Sequence, residues 1–174
     1  MGNIRARFGI GSVWKWEHWK KVGSRNGAYA FNASWEETNV MTDEGITHVL
    51  DVVLSAGAQK TAWYISLFND DYVPTIADTY QSPGYTETTN YSGARPTWQE
   101  AGVSAKVITN SANVASFTMS ATETIFGGSL VSANTKGDTV SGEVLLCSTA
   151  FANDRGVENE DVLKVTATIS GQDV

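Results

Sequence analysis

The 174-residue chain is long enough for one domain with a hydrophobic core and too short for two domains of ordinary size. Hydrophobic residues make up 41% of it and charged residues 18%, a composition typical of folded proteins and not of disordered ones. A net charge of −7 argues against nucleic acid and membranes as partners, because phosphate backbones and anionic membranes repel an acidic protein. Since the sequence also lacks a membrane-spanning apolar run and a signal peptide, we expect a protein made and kept soluble in a cytoplasm.

The first 27 residues are basic, whereas the chain as a whole is acidic. They hold six cations against the single acid Glu17, and residues 13–19 alternate in part as an edge strand would. We therefore predict an N-terminal basic, Trp-rich arm over residues 1–27 and a folded domain over residues 28–174. Apolar rings beside cations suit docking on an acidic partner surface, although packing within the subunit is the alternative for the tryptophans. The residues predicted to bind the partner are Arg5, Arg7, Trp14, Trp16, Trp19, Lys20 and Lys21.

One α-helix is predicted near residues 43–55. Thr42 or Asp43 suits the N-cap, acids occupy the first turn, and Gly57 follows the end of the helix. Apolar residues recur here at helical spacing, and we expect the stripe that they form to pack on a sheet. The stripe consists of Ile46, Val49, Leu50, Val53 and Leu54.

From residue 61 the pattern changes to that of β-strands. Residues 61–68 suit a central strand, and residues 115–122 alternate, with Phe117 and Met119 on one face and hydroxyls on the other. Further strands are indicated at residues 124–132, 142–151 and 163–170. Strands of this kind between Gly, Asn and Asp turns predict a mostly β protein, an antiparallel β-sandwich of jelly-roll or immunoglobulin-like topology, with the helix covering one end or edge.

The segment of residues 70–98 contains all three prolines of the chain and many Thr, Tyr and Gly residues. This composition is typical of loops and short edge strands on the outside of a fold. Exposed Tyr and Trp side chains are enriched at protein interfaces, and they also stack on sugars. We therefore expect oligomer contacts or glycan contacts from the aromatic residues of this segment, which are Tyr72, Tyr80, Tyr85, Tyr91 and Trp98.

Catalytic chemistry finds little support in the sequence. The histidines, His18 and His48, lie in the arm and in the helix, no Gly-x-Ser-x-Gly motif is present, and Cys147 lies within a predicted strand. Paired acids, and the Asn and Asp clusters that offer oxygen ligands to calcium, fall in polar, turn-like stretches where solvated acids are expected. We therefore predict no enzyme activity, no catalytic residues, no metal and no cofactor. A lone cysteine excludes an internal disulfide, and we interpret it as a buried, inert thiol.

Several short blocks occur in a characteristic order along the chain. They are residues 39–51, 61–68, 77–80, 86–87, 91–92, 95–98, 108–111 and 161–166. This order resembles that of a family of small tailed-phage structural proteins, and the resemblance covers roughly residues 30–170, each block alone being a short and unspecific phrase. The resemblance implies membership of a phage particle, as a virion or head-associated structural protein, and it brings no catalytic motif.

These observations lead to one expected function and one alternative. The expected function is that of a phage capsid decoration, or cement, protein on the virion surface. Such a protein self-associates as a dimer or trimer and binds the major capsid protein, and by binding the assembled shell it stabilises that shell. The alternative is a tail or head-fibre adhesin that binds a host glycan through the aromatic residues of the 70–98 segment.

Overall fold

The computed structural model describes residues 8–23 and 27–173, which form two antiparallel β-sheets and a helix. In chain order the elements are β1 (Phe8–Lys21), β2 (Tyr29–Thr38), β3 (Val40–Met41), α1 (Asp43–Leu54), β4 (Tyr64–Phe68), β5 (Val107–Thr109), β6 (Ala115–Thr118), β7 (Glu123–Val131), β8 (Leu145–Val157) and β9 (Val162–Asp173). The prediction of a mostly β sandwich with a helix near residues 43–55 is confirmed.

The strands divide between two sheets, which we call the front sheet and the back sheet. The front sheet has the order β2-β1-β9, and β5 and β6 both pair with the other edge of β9. The back sheet has the order β3-β8-β7-β4. Short connections carry the chain from one sheet to the other at Asn39 between β2 and β3, at residues 119–122 between β6 and β7 and at residues 158–161 between β8 and β9. The change from β4 to β5 runs through the long segment of residues 69–106.

The hydrophobic core lies between the inner faces of the two sheets. Its fully buried members include Trp14, Trp16, Ile65, Leu67, Phe117, Leu130, Leu163 and Val165. Trp16 is the centre of an aromatic cluster, with its ring centroid 4.8 Å from that of Phe151 and 6.3 Å from that of Trp35. Phe117 and Met119 are both buried, so the core face predicted from their alternation is confirmed.

Strand β1 lies in the middle of the front sheet, which corrects the expectation of an edge strand in a separate arm. It pairs with β2 from Val13 to Lys21 and with β9 from Phe8 to Trp19. Because side chains alternate along a strand, the register that turns Lys15 outwards turns Trp14 and Trp16 into the core. Residue 27 therefore lies in the connection between β1 and β2, and the strand before it belongs to the sandwich.

Helix α1 begins as predicted but presents the other side to the sheet. The Thr42 hydroxyl caps its first turn by accepting a hydrogen bond from the Gly45 N–H, at 2.9 Å. Gly45 is buried so closely against β8 that a Cβ atom there would overlap the Leu146 backbone. This contact leaves the predicted stripe pointing outwards, except for Val49, which packs against the core. The expectation that the stripe packs on a sheet is wrong for Ile46, Leu50, Val53 and Leu54.

The 70–98 segment covers the outer face and one edge of the back sheet. Strand β4 was expected at the centre of a sheet, but it ends the strand order, and isolated bridges join its free edge to Thr97 and Glu87. Tyr85 stacks on Phe68 of β4, with 4.6 Å between the ring centroids. The segment therefore forms an additional layer, which explains how its aromatic residues become buried.

We predict that Trp16→Ala lowers the free energy of unfolding by about 3–5 kcal/mol, because it leaves a large cavity in the core. Val13 lies on the outer face of the same strand and is 45% exposed, so Val13→Ala is the matched control. We expect the control to change stability by no more than about 0.5 kcal/mol. Urea denaturation monitored by circular dichroism measures both changes. Equal losses in the two variants would contradict the central position of β1.

Candidate functional site

An exposed apolar surface runs along α1. It consists of Ile46, Leu50, Val53, Leu54 and Ile76, and we call it the α1 surface. Ile76 belongs to it because its carbonyl oxygen accepts a hydrogen bond from the Asp43 N–H, at 2.8 Å, beside the first turn of the helix. Val53 and Leu54 are 70% and 76% exposed, whereas the apolar stripe of a packed helix faces the core. Contiguous exposed apolar side chains mark surfaces that bind other molecules.

Acidic residues border the α1 surface. Asp43 and Asp51 are exposed on the helix, and its last turn carries no basic residue. Glu44 contributes less charge to the rim, because its carboxylate accepts hydrogen bonds from two backbone N–H groups inside the fold. Lys60 follows the helix, and its ammonium group lies 3.1 Å from the Glu143 carboxylate. The α1 surface thus presents aliphatic side chains within an acidic rim.

A groove of about 370 Å³ crosses the outer face of the front sheet. We call it the Trp19 groove, and its lining residues are Trp19, Tyr29, Ser116, Thr118, Val162 and Lys164. The strand register forms it, because Trp19 of β1 pairs with Phe31 of β2 and with Val162 of β9. The Phe31 ring meets the Trp19 ring edge-on at 5.5 Å, and the Lys164 ammonium group lies 4.6 Å from the Trp19 ring centre.

A β-bulge gives the groove its second aromatic wall. Between His18 and Trp19 the register shifts, so that His18 pairs with Ala33 whereas Trp19 pairs with Phe31, and Asn32 is the extra residue. Phe31 and Tyr29 therefore face outwards, although Trp35, at the same spacing in the sequence, faces the core. Strict alternation would place Tyr29, Phe31 and Trp35 on one face, so the sequence pattern did not indicate Tyr29 and Phe31 as outward-facing residues.

The residues predicted to dock on a partner do not form one surface. Trp14 and Trp16 are fully buried, so their prediction as partner-binding residues is wrong: they fill the space between the sheets. Trp19, Lys20 and Lys21 reach the surface, and salt bridges join Lys20 to Glu158 at 3.2 Å and Lys21 to Glu160 at 2.5 Å. Arg5 and Arg7 lie outside the described residues.

The aromatic residues of the 70–98 segment are mostly internal. Tyr80, Tyr91 and Trp98 are buried, so their prediction as oligomer or glycan contacts is wrong. The Trp98 indole N–H, for example, donates a hydrogen bond to the Ala167 carbonyl oxygen at 3.1 Å. Tyr72 and Tyr85 are half-buried, and the Tyr72 hydroxyl donates to Asp78 at 2.7 Å. The Trp98 hydrogen bond therefore ties the segment to β9 of the front sheet, whereas the Tyr72 hydrogen bond lies within the segment. The sequence pattern does not indicate these contacts, because the partners are brought together only by the fold.

A buried ion pair between Arg95 and Glu87 anchors the same segment. Arg95 Nη2 lies 2.5 Å from Glu87 Oε2, and Arg95 Nε lies 2.8 Å from Oε1. Arg95 Nη1 donates to the Tyr80 hydroxyl and to the Ala133 carbonyl oxygen, each at 2.8 Å. Tyr85 lines an adjoining cavity of about 300 Å³. Burial of its hydroxyl raises the pKa of Tyr85 to about 12. Each guanidinium nitrogen already has an acceptor in the chain, so we assign the pair to the fold.

His18 and Asp161 form a second buried polar centre. His18 Nε2 lies 2.7 Å from Asp161 Oδ2, and the side-chain nitrogen of Asn32 lies 3.1 Å from His18 Nδ1. Because an amide nitrogen only donates, Nδ1 accepts and Nε2 donates to the carboxylate. Burial raises the pKa of Asp161, but hydrogen bonds from the Glu158 N–H, His18 and the Lys21 N–H outweigh that effect and lower it. The centre joins β1 to the turn before β9, and both side chains are buried.

The remaining candidates for catalysis or metal binding have the surroundings of structural residues. Cys147 is buried, and burial raises the pKa of its thiol to about 12. Asp70 and Asp78 accept hydrogen bonds from the Thr86 and Thr75 N–H groups, respectively, as turn residues do. Among the described residues, no cluster of three or more His, Cys, Asp or Glu side chains has the arrangement of a metal site. The described helix is too short to cross a membrane.

Comparison with known proteins leaves these surfaces to be interpreted from their own chemistry. No protein-family model matches the chain, and no curated protein matches it significantly.

We predict that the protein loses stability as the pH falls below about 4, partly through Asp161. A carboxylate whose pKa is lower in the folded state stabilises that state above its unfolded pKa, and the contribution disappears as the pH falls through the folded pKa. Asp161→Asn should therefore lower the free energy of unfolding at pH 7 by about 1–3 kcal/mol. It should also flatten the pH dependence between about pH 5 and pH 2.

Glu158→Gln is the control for Asp161→Asn, because Glu158 lies in the same turn with its side chain 68% exposed. Denaturation curves recorded at several pH values give the comparison. A similar loss at pH 7 in both variants would show that the Asp161 carboxylate has no special role.

Proposed function

We propose that this protein is a non-enzymatic component of a tailed-phage virion, a capsid decoration protein that docks on the major capsid protein through the α1 surface. The observation that carries the proposal is the outward-facing apolar side of α1. Five aliphatic side chains lie there without a covering layer among the described residues. The order of sequence blocks resembles that of phage structural proteins, which favours a phage particle as the assembly. The α1 surface is the proposed site of attachment to that particle.

The chemistry of the α1 surface specifies its partner. Aliphatic side chains gain free energy when they leave water, which favours an apolar patch on the capsid protein. The exposed carboxylates of Asp43 and Asp51 favour cations around that patch, and the net charge of −7 favours approach to a basic surface over long distances. These charges are opposite to the expectation from the sequence, in which a basic arm binds an acidic shell surface.

The mechanism of a decoration protein is mass action. A molecule that binds only the assembled shell lowers the free energy of that shell and raises the cost of separating its subunits. A stable specific contact buries about 800 Å² on each partner, so the α1 surface has to be the centre of a larger interface. Aliphatic residues at such a centre contribute most of the affinity, while the polar rim sets specificity.

Binding to phage heads tests the proposal. Heads are prepared from the phage whose genome carries this coding sequence, with the coding sequence deleted, and purified protein is added before gradient sedimentation. The unmodified chain should sediment with the heads, and immunogold labelling should place it on them. Leu50→Ser should weaken the binding at least about tenfold, since loss of a buried aliphatic anchor costs more than about 1 kcal/mol.

Val103→Ser is the matched control, because Val103 is 74% exposed in the connection before β5, outside the α1 surface. Both variants alter exposed side chains and should keep the stability of the parent. Heads that do not bind the unmodified chain, or that bind Leu50→Ser as tightly as Val103→Ser, would overturn the proposal.

Self-association remains part of the proposal, although the aromatic contacts first expected for it are largely buried. Strand β2 ends the order of the front sheet, and within the described part of the chain one of its edges has no strand partner, so it is available for pairing with another copy. We expect sedimentation equilibrium of the purified chain to give a dimer or a trimer. A monomer at every concentration up to about 0.1 mM, a range in which weak specific dimers form, would contradict this part.

A further inference from the structure

We propose that the Trp19 groove is a binding site for a neutral glycan chain. The site lies on the outer face of the front sheet, and it involves residues that are separate from the α1 surface. The inference does not depend on the proposed function. Three properties of the groove carry it: exposed aromatic walls, hydroxyl groups without partners among the described residues, and a rim in which most lysines are paired with carboxylates.

The aromatic walls of the groove fit the apolar face of a sugar ring. Trp19 and Tyr29 line the groove, and Tyr29 is 40% exposed. Phe31, which is 53% exposed, supports the Trp19 ring from the side by an edge contact at 5.5 Å. A pyranose presents C–H groups on its faces, which pack against aromatic rings as other apolar groups do. The bulge at Asn32 is what brings Phe31 and Tyr29 to this face, so the local irregularity of β2 is explained by the groove that it forms.

The hydroxyl groups of the groove are free to bind the polar edge of the same ring. Ser116 and Thr118 project from β6 into the groove, and their side chains form no hydrogen bond with any described residue. The Tyr29 hydroxyl is likewise unpartnered within the described part of the chain. A hydroxyl both donates and accepts hydrogen bonds, which matches the hydroxyls of a sugar. Binding sites of this size combine apolar walls with a few polar groups that fix orientation.

The charges around the groove select against ionic ligands. Lys15 pairs with Glu17 at 2.9 Å, and Lys20 and Lys21 pair with Glu158 and Glu160. Lys164 covers one face of the Trp19 indole. Three of the four lysines around the groove are thus paired with carboxylates, and the chain as a whole carries a charge of −7, which disfavours a polyanion such as a nucleic acid or a sulfated glycan. A neutral ligand with both C–H faces and hydroxyls remains, which is the chemistry of an uncharged oligosaccharide.

Isothermal titration calorimetry with neutral hexasaccharides tests the proposal. The probes are cellohexaose and chitohexaose, with heparin as the anionic comparison, each titrated into the purified full chain. We expect at least one neutral hexasaccharide to bind more tightly than about 1 mM. Tyr29→Ala should weaken that binding at least about tenfold, because it removes an aromatic wall of the groove. Tyr29→Phe should weaken it less, because the aromatic ring is kept and only the hydroxyl is lost.

Val13→Ala serves as the control on the same face, since Val13 lies on β1 away from the groove and is 45% exposed. It should bind the hexasaccharide as the parent does, and circular dichroism should show that all the variants are folded. Failure of both neutral hexasaccharides to bind, equal binding by Tyr29→Ala and Val13→Ala, or tighter binding of heparin would each overturn the proposal.

Discussion

The pairing of β1 with β9 is the interaction on which the rest of the molecule depends. It runs from Phe8 opposite Asp173 to Trp19 opposite Val162 and joins the two ends of the chain in the middle of the front sheet. The same register sends Trp14 and Trp16 into the core and Trp19 into the outer groove. The two strands are far apart in sequence, so bringing them together costs loop-closure entropy before the pairing contributes free energy. We therefore infer slow, cooperative folding.

Local patterns predicted the parts of the fold that depend on neighbouring residues. The Thr42 cap of α1 and the alternation at Phe117 and Met119 were visible in the sequence, because capping and strand periodicity act over a few residues. The basic composition near the N-terminus was also visible in the sequence, but the partners of its lysines were not. The acids that neutralise Lys20 and Lys21 are Glu158 and Glu160, which only the fold brings near.

The candidate surfaces were harder to predict, because each depends on a contact between distant backbones. The stripe along α1 has the period of a buried face, yet the close approach of Gly45 to Leu146 fixes the rotation of the helix and exposes the stripe. In β2, the extra residue Asn32 places Tyr29 and Phe31 on the opposite face from Trp35. A helical period or a strand alternation gives the spacing of side chains, but it does not say which face meets the core.

The positions of the two proposed surfaces have a consequence for how the protein works. Helix α1 packs against Leu146, at the start of β8 in the back sheet, whereas the Trp19 groove lies on the front sheet beside the turn that follows the end of β8. The surfaces therefore occupy different layers and opposite ends of one long strand. The proposed docking of α1 on a shell and the proposed binding of a glycan in the groove therefore involve different residues. If α1 docks as proposed, the sandwich between the two surfaces sets the direction in which the groove faces.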